Sequence, residues 1–373
     1  MIYDDNNLTQ IQWPSAYERD YIVPFMQAPT RQFISNVDTK VYLLKTKHHV
    51  FPVTVNHAEY ENSYVCSPYT ACISYAKEEL HKLKQRLLEI PLFVLISLLD
   101  SFLKMTRINQ VVHVNNWLLS TNLYPDWSGD DIQTITKLLL EKFPQHVIIF
   151  RSLNRYTNDK LYPHFTEAGY HLIASRQLYI FNGKTGDYLT KQNTRWDLKL
   201  LDKSPYQIIS HDDLSEADFP RIVTLYKLLY LDKYSYFNPQ FTEQYIRLCH
   251  QKKLLTMYGL RSPSGTLDGI VGYFCRNQVM TVPLVGYDTA LPQKMGLYRM
   301  LMALALRDAH RTGQILNLSS GASHFKILRG GKAYIEHSAV YYQHLPLYRK
   351  LPWGLLKTLL NQIGVPIMRK YRL

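Results

Sequence analysis

From Tyr206 to Tyr341 the chain alternates short β-branched runs with amphipathic ones, in an order that leaves few folds open. A strand is expected at Tyr206–Ser210. Ser215–Tyr230 follows as a capped helix in which Ile222, Leu225, Leu228 and Leu229 recur at helical spacing. Phe241–Gln251 predicts a second helix, and Leu254–Leu260, Gly269–Phe274 and Met280–Tyr287 predict three strands, the first two parted by the turn Ser262–Gly265. A long helix over Gly296–His310, a strand at Ile315–Leu318, a short helix at His324–Leu328 and a strand at Ala333–Tyr341 complete the series. Strands and helices interleaved in this way predict a mixed α/β sheet protein.

The preceding half carries a looser version of such a pattern. Strands are expected at Lys40–Lys45, Val50–Asn56, Asn116–Asn122, His146–Arg151 and Leu172–Phe181, and helices at Lys77–Glu89 and Asp130–Phe143. Asn182–Arg195 is rich in turn residues and reads as a long hairpin loop or connector. With 373 residues and 46% apolar content there is material for about two domains, and the boundary is placed at Ser204, giving 1–204 and 205–373. The longest apolar run, Ile90–Leu99, is broken by Pro91 and falls short of the roughly 20 residues a membrane span requires. The opening MIYDDNNLTQ is acidic and lacks the order of a secretory signal, so a cytoplasmic location is expected. Cys66, Cys72, Cys249 and Cys275 form no C-x-x-C pair, which favours buried free thiols over a metal site.

Charge separates the halves further. Residues 1–204 hold 22 Lys and Arg against 20 Asp and Glu, whereas residues 205–373 hold 21 against 10. A one-sided basic field attracts polyanions: the phosphates of coenzyme A, an acidic acyl carrier protein, tRNA or an anionic membrane surface. The segment from Arg349 onward has six basic residues and no acidic one, with Leu356, Leu359, Leu360 and Ile363 at helical spacing. It suits a peripheral membrane contact, a carrier contact, or packing on its own domain.

Between the strand Met280–Tyr287 and the long helix stands Gln293-Lys294-Met295-Gly296-Leu297-Tyr298. This run resembles the Q/R-x-x-G-x-G/A turn of the GNAT N-acyltransferase superfamily, whose order of elements the flanking segments follow. The resemblance implies that these six residues bind the pyrophosphate of acyl-CoA, or the phosphate of an acyl-phosphopantetheine carrier, on backbone N–H groups at a helix N-terminus. Tyr298 stands where the family usually has a small residue. Downstream, SSGASHFKILRGGKAYIEH is similar to the family's second signature, with Lys326 in the place of its tyrosine. The run HFK followed by glycines also resembles Fem-type acyltransferases.

These likenesses imply a catalytic set. With Lys326 in the tyrosine's place, the general acid is not inherited from the family. Lys326 or His324 could protonate the departing thiolate, the alternatives being a phosphate or surface contact for Lys326 and a structural hydrogen bond for His324. Asp288, which also suits a turn residue, Glu336 or His337 could take a proton from the incoming amine, directly or through water. Tyr234, Tyr236 and Asn238, in the loop Asp232–Phe241, are the expected acceptor contacts. In the first half, Trp127–Asp131 puts two acids where a phosphate would dock, so that half is expected to be a degenerate, noncatalytic copy. The resemblance thus implies two tandem GNAT-like domains, each a mixed, largely antiparallel sheet flanked by helices. The expected function is acyl transfer from acyl-CoA or a carrier to an amine, such as an amino acid or a lipid-like acceptor. A tRNA-dependent Fem-type transferase and a noncatalytic acyl-CoA or nucleic-acid binding module are the alternatives.

Overall fold

The computed structural model describes residues 1–74, 77–78 and 86–372. In chain order the first half contains β1 (Ile2–Tyr3), α1 (Ala16–Gln27), β2 (Lys40–Lys45), β3 (Val50–Asn56), α2 (Arg86–Met105) and β4 (Val111–Val114). It continues with α3 (Ile132–Lys142), β5 (Val147–Asn154), α4 (Leu161–Glu167), β6 (His171–Asn182) and α5 (Gln192–Lys203). The second half contains β7 (Gln207–Ile209), α6 (Phe219–Tyr226), α7 (Glu243–Gln251), β8 (Thr256–Arg261), β9 (Leu267–Arg276) and β10 (Val279–Tyr287). After these come α8 (Leu297–Arg311), β11 (Ile315–Asn317), α9 (Ser323–Leu328), β12 (Lys332–Tyr341), α10 (Leu347–Thr358) and α11 (Val365–Tyr371). The expected helix Lys77–Glu89 lies largely outside the described residues. Among the described residues no helix is long and apolar enough to cross a membrane.

All twelve strands join one mixed sheet in the order β1-β2-β3-β4-β5-β12-β6-β11-β10-β9-β8-β7. Each half repeats a plan: an antiparallel stretch, then a parallel pair joined through a helix, β4-α3-β5 in one and β10-α8-β11 in the other. A short helix and a final long strand follow in both. The final strands are exchanged. β12 lies between β5 and β6, antiparallel to both, while β6 pairs with β11. The centre of the sheet is therefore woven from both halves.

Side-chain packing crosses between the halves as well. α1, capped by Ser15, places Tyr21, Ile22 and Phe25 in the same apolar cluster as Phe219, Ile222, Leu225 and Tyr245. The Tyr17 hydroxyl donates to the Leu254 carbonyl at 2.8 Å. On the other side of the sheet α8 is buried from Met300 to Leu306 without a break, and each large apolar side chain enclosed there contributes about 1.5–3 kcal/mol.

Two expectations are corrected. Asn116–Asn122 is not a strand; the strand is Val111–Val114, and the chain beyond it is a buried loop. Asn115, Asn116 and Asn122 satisfy that loop's polar groups internally, for example through Asn122 Oδ1, which accepts from the Trp117 N–H at 3.0 Å. Asn182–Arg195 is not a plain connector either. It holds a 3₁₀ turn at Asp187–Thr190 and the start of α5, whose buried face is Thr194, Asp197 and Leu201.

Candidate active site

Strands β10 and β11 run parallel only from Val279↔Ile315 to Thr281↔Asn317. There they part. β10 bulges between Thr281 and Leu284 and continues to Tyr287 alongside β9, whereas the chain after Asn317 stays with β6, the Leu318 N–H donating to the Tyr179 carbonyl at 3.0 Å. Among the described residues the edge of β10 beyond Thr281 thus has no strand partner on its β11 side, and the two strands diverge there.

The turn after β10 leads to the N-terminus of α8. Gln293, Lys294 and Met295 form a 3₁₀ turn, with Gln293 and Lys294 exposed. Gly296 follows at φ +72°, the left-handed region that favours glycine. A Cβ at Gly296 would stand 2.5 Å from Leu200 Cδ2, so a side chain there would also have to displace the end of the Leu200 side chain on α5. No side chain caps α8 at Leu297, which leaves its first N–H groups without a capping oxygen. Asp197 of α5, fully buried, accepts from Arg299 Nε at 2.6 Å and Arg329 Nε at 2.5 Å, tying α5, α8 and α9 into one block behind the turn. Neither Asp197 nor Leu200 carries a sequence signal that announces this role.

Tyr298 points into an aromatic cluster rather than lying over the turn. Its ring is 4.9 Å from Phe325 and 6.2 Å from Tyr287, and Phe325 stacks on the Arg329 guanidinium at 3.4 Å. Burial first, then Tyr230, Tyr234 and Tyr287, push the Tyr298 hydroxyl well above the usual phenol range. Tyr230 is raised in the same way, by burial and then by Tyr64 and Tyr234, with Arg176 opposing. Tyr64, Tyr230, Tyr234, Tyr287, Tyr298 and Arg176 therefore lie in one neighbourhood, Tyr234 exposed and the others partly exposed.

The loop Asp232–Phe241 contributes Tyr234 to this neighbourhood, and the first half holds the loop in place. Asn36 Nδ2 donates to the carbonyls of Tyr236 and Asn238 at 3.1 and 2.8 Å, the Ser63 hydroxyl donates to the Phe237 carbonyl at 2.8 Å, and Ile34 and Phe241 form an antiparallel bridge. Of the three expected acceptor contacts, Tyr234 is exposed beside Tyr230, with ring centroids 6.1 Å apart. Tyr236 is exposed and donates to Asp232. Asn238 is buried, with Nδ2 bonded to the carbonyls of Tyr230 and Ser235 at 3.0 Å each, and so it shapes the loop.

Arginines from the first half lie near the same tyrosines. Arg151 donates to the Val65 carbonyl at 2.7 Å and lies 5.8 Å from the Tyr64 ring. Among the described residues no carboxylate is within ion-pair distance of it, and burial lowers its pKa, with Arg176 acting in the same direction. A lone charge inside the apolar strand VIIFRSLN was the legible signal for Arg151.

Each expected proton carrier has a structural partner or sits apart. Asp288 accepts from Arg221 at 2.7 Å and from the Ala290 N–H at 2.9 Å, and the Arg221 contact holds its carboxyl below the usual range, which disfavours it as a base. Glu336 is buried and receives Nε and an η nitrogen of Arg176 at 2.9 and 3.1 Å, with Ser175 at 3.2 Å. His337 Nδ1 pairs with the Tyr162 hydroxyl at 3.1 Å, and His324 is exposed. Lys326 is buried, its ammonium directed at the carbonyls of Leu318, Ser319 and Ser320 at 2.7, 3.3 and 2.8 Å. Burial, and then Arg176, push its pKa down to about 7, but three carbonyl acceptors favour the charged form. It fastens a loop in which Ser319 and Ala322 adopt positive φ. Among the described residues no group of three or more His, Cys, Asp and Glu side chains is placed to hold a metal ion.

Residues 190–334 match the family model described as acetyltransferase (GNAT) domain, a span that begins ahead of Ser204 and takes in α5. No curated protein matches the chain at a significant level. Among solved structures, FemX is similar over 87% of this chain and 92% of its own, at 7% identity and a TM-score of 0.53, which shows a shared fold. The C-terminal domain of a putative lysylphosphatidylglycerol synthetase from Agrobacterium fabrum aligns over 62% of this chain and 78% of its own, with 13% identity and a TM-score of 0.46. A probable N-acyltransferase from Enterococcus faecalis V583 aligns over 92% and 72%, with 10% identity and a TM-score of 0.35.

Proposed function

Proceeding from a GNAT domain over residues 190–334, we propose that the protein transfers an acyl group from a phosphopantetheine thioester to an amine held beside these tyrosines. The observation that carries this reading is the parting of β10 from β11 after Thr281↔Asn317, next to an uncapped helix N-terminus. The free β10 edge suits the amides of a pantetheine arm, much as a sheet edge accepts an added strand. The first N–H groups of α8, with Lys294 on the exposed turn and Arg299 in the helix's first turn, suit the phosphates. In the transfer the amine nitrogen attacks the thioester carbonyl, the C–N bond forms, the C–S bond breaks, and the thiolate leaves with a proton. Direct attack requires no covalent intermediate on the protein.

Acyl-CoA is the simplest donor, and an acidic acyl carrier protein fits the basic second half equally in charge. Arg151 supports an acceptor that carries an anionic group as well as its amine, because its donors have no carboxylate partner of their own. The first half, on this view, is a noncatalytic partner that supplies Arg151, Arg176 and Tyr64 to the acceptor side.

Native mass spectrometry against an acyl-CoA series tests the donor site. Gly296→Glu is unsuitable because any L side chain is strained at φ +72° and would also have to displace Leu200, so the informative variant is Lys294→Glu, on an exposed position. An acid at the helix N-terminus should weaken acyl-CoA binding about tenfold by opposing the phosphates. Equal binding by the variant, or no binding of any acyl-CoA, would overturn the donor assignment. tRNA binding with a steep salt dependence would then favour a tRNA-dependent transferase.

A further inference from the structure

Ten of the fifteen large apolar side chains exposed among the described residues lie on only two stretches, α2 and the segment from α10 to α11. In the second stretch Leu347, Leu351, Leu355, Ile363, Ile367 and Tyr371 are all exposed and recur at multiples of four residues. The opposite face of α10, with Arg349, Pro352, Trp353 and Leu356, is buried against the sheet. The exposed stripe therefore turns away from the protein's own core.

A four-residue spacing drifts by about 40° per step around an α-helix, so over this length the stripe should wander most of the way round. The intervening π turn, Leu359–Gly364, winds fewer degrees per residue and turns the stripe back. α2 adds a second band. Val94, Leu98 and Met105 are exposed, at 52, 67 and 79%, while Leu103 of the same helix shares a buried cluster with Trp353 and Leu356. The two helices are thus anchored on one core and leave apolar side chains outside it.

Charge decides what covers this surface. After Glu336 the sequence contains no Asp or Glu, and Lys350, Arg369, Lys370 and Arg372 have no carboxylate within ion-pair distance among the described residues. A second copy of the chain, docked through the same patch, would bring like charges together at an apolar contact. A soluble acidic partner would satisfy the charge but would not call for an apolar stripe about 37 Å long. An anionic bilayer surface offers both an apolar interior for the stripe and phosphates for the basic groups. We propose that α10–α11, flanked by α2, is a docking surface for anionic lipid, on which the protein rests without crossing the bilayer. This holds whether or not the protein transfers acyl groups.

Co-sedimentation of the full chain with vesicles tests the inference. Vesicles of phosphatidylcholine containing phosphatidylglycerol should retain it at least about tenfold better than phosphatidylcholine alone, with binding falling as salt rises. The variant Leu351→Ser/Leu355→Ser/Ile363→Ser alters exposed positions and should keep its melting temperature while losing retention. Lys370→Glu/Arg372→Glu should lose the preference for phosphatidylglycerol. Equal retention on both vesicle types, or retention unchanged in the triple variant, would overturn the proposal. So would a concentration-dependent dimer, or a complex with an acidic acyl carrier protein, that the triple substitution abolishes while vesicle retention stays low in the unaltered protein.

Discussion

Gly296 shows how backbone conformation and packing constrain one residue together. Its φ of +72° and the 2.5 Å approach of Leu200 to its missing Cβ make substitution costly on two grounds. Gly296→Ala should lower stability by roughly 2 kcal/mol or more, read from chemical denaturation, and Leu200→Ala in the same chain should recover the contact part while about 1 kcal/mol of backbone strain remains. Arg151→Gln should raise the KM for the acceptor about tenfold with little change in donor binding, since a charge-assisted contact is exchanged for a neutral one. If KM is unmoved, Arg151 merely fastens Val65. Lys326→Met should act differently: three carbonyls lose their donor, and a fall in melting temperature should accompany any loss of activity.

At the level of elements, the second half was nearly all legible. Every expected strand and helix there is present within a few residues, because its amphipathic runs carry complete start and stop signals such as the Ser215–Asp218 capping box. The first half was less so. Its loop from Asn115 to Tyr124 is buried as deeply as a strand, and asparagines that look like turn residues act there as internal hydrogen-bonding groups. α5 was hidden for another reason: its decisive contacts, Asp197 to Arg299 and Arg329, are with residues more than a hundred positions away. The candidate donor turn was visible as a local motif. The tyrosine neighbourhood was not, because Tyr64 and Arg176 come near Tyr230 only through the tertiary fold.

Where the end of β12 meets the start of β5, acid should act early. His146 Nε2 lies 3.1 Å from His57 Nδ1, and burial, followed by His57 and Arg349, lowers its pKa to about 4. A histidine held neutral in the folded state loses its advantage as protons become available to the unfolded chain. Stability should be intact above about pH 6.5 and fall as pH drops from there toward 4, by on the order of 1–2 kcal/mol after allowance for solvent screening. Melting curves across that interval check it, and His146→Gln should flatten the dependence.

At the scale of the whole molecule, Ser204 separates two sequence patterns but not two independent sheets. β12 is inserted between β5 and β6, and β6 completes the second half by pairing with β11. Residues 1–204 or 205–373 expressed alone should fail to give cooperative unfolding transitions, whereas co-expressed fragments should recover a complex. A sharp transition from either fragment by itself would show that the exchange is dispensable.

The exchanged strands also set a schedule for synthesis. As the chain leaves the ribosome, β5 and β6 appear long before the strand that must lie between them, so a nascent first half carries one unfilled edge on β5 and two on β6, and the gap between them closes only when β12 is made. The protein must therefore wait for its own later sequence. Its yield in a cell should depend on how well those edges are shielded during translation, and a ribosome that stalls before Lys332 would release a chain with a gap at the middle of its sheet.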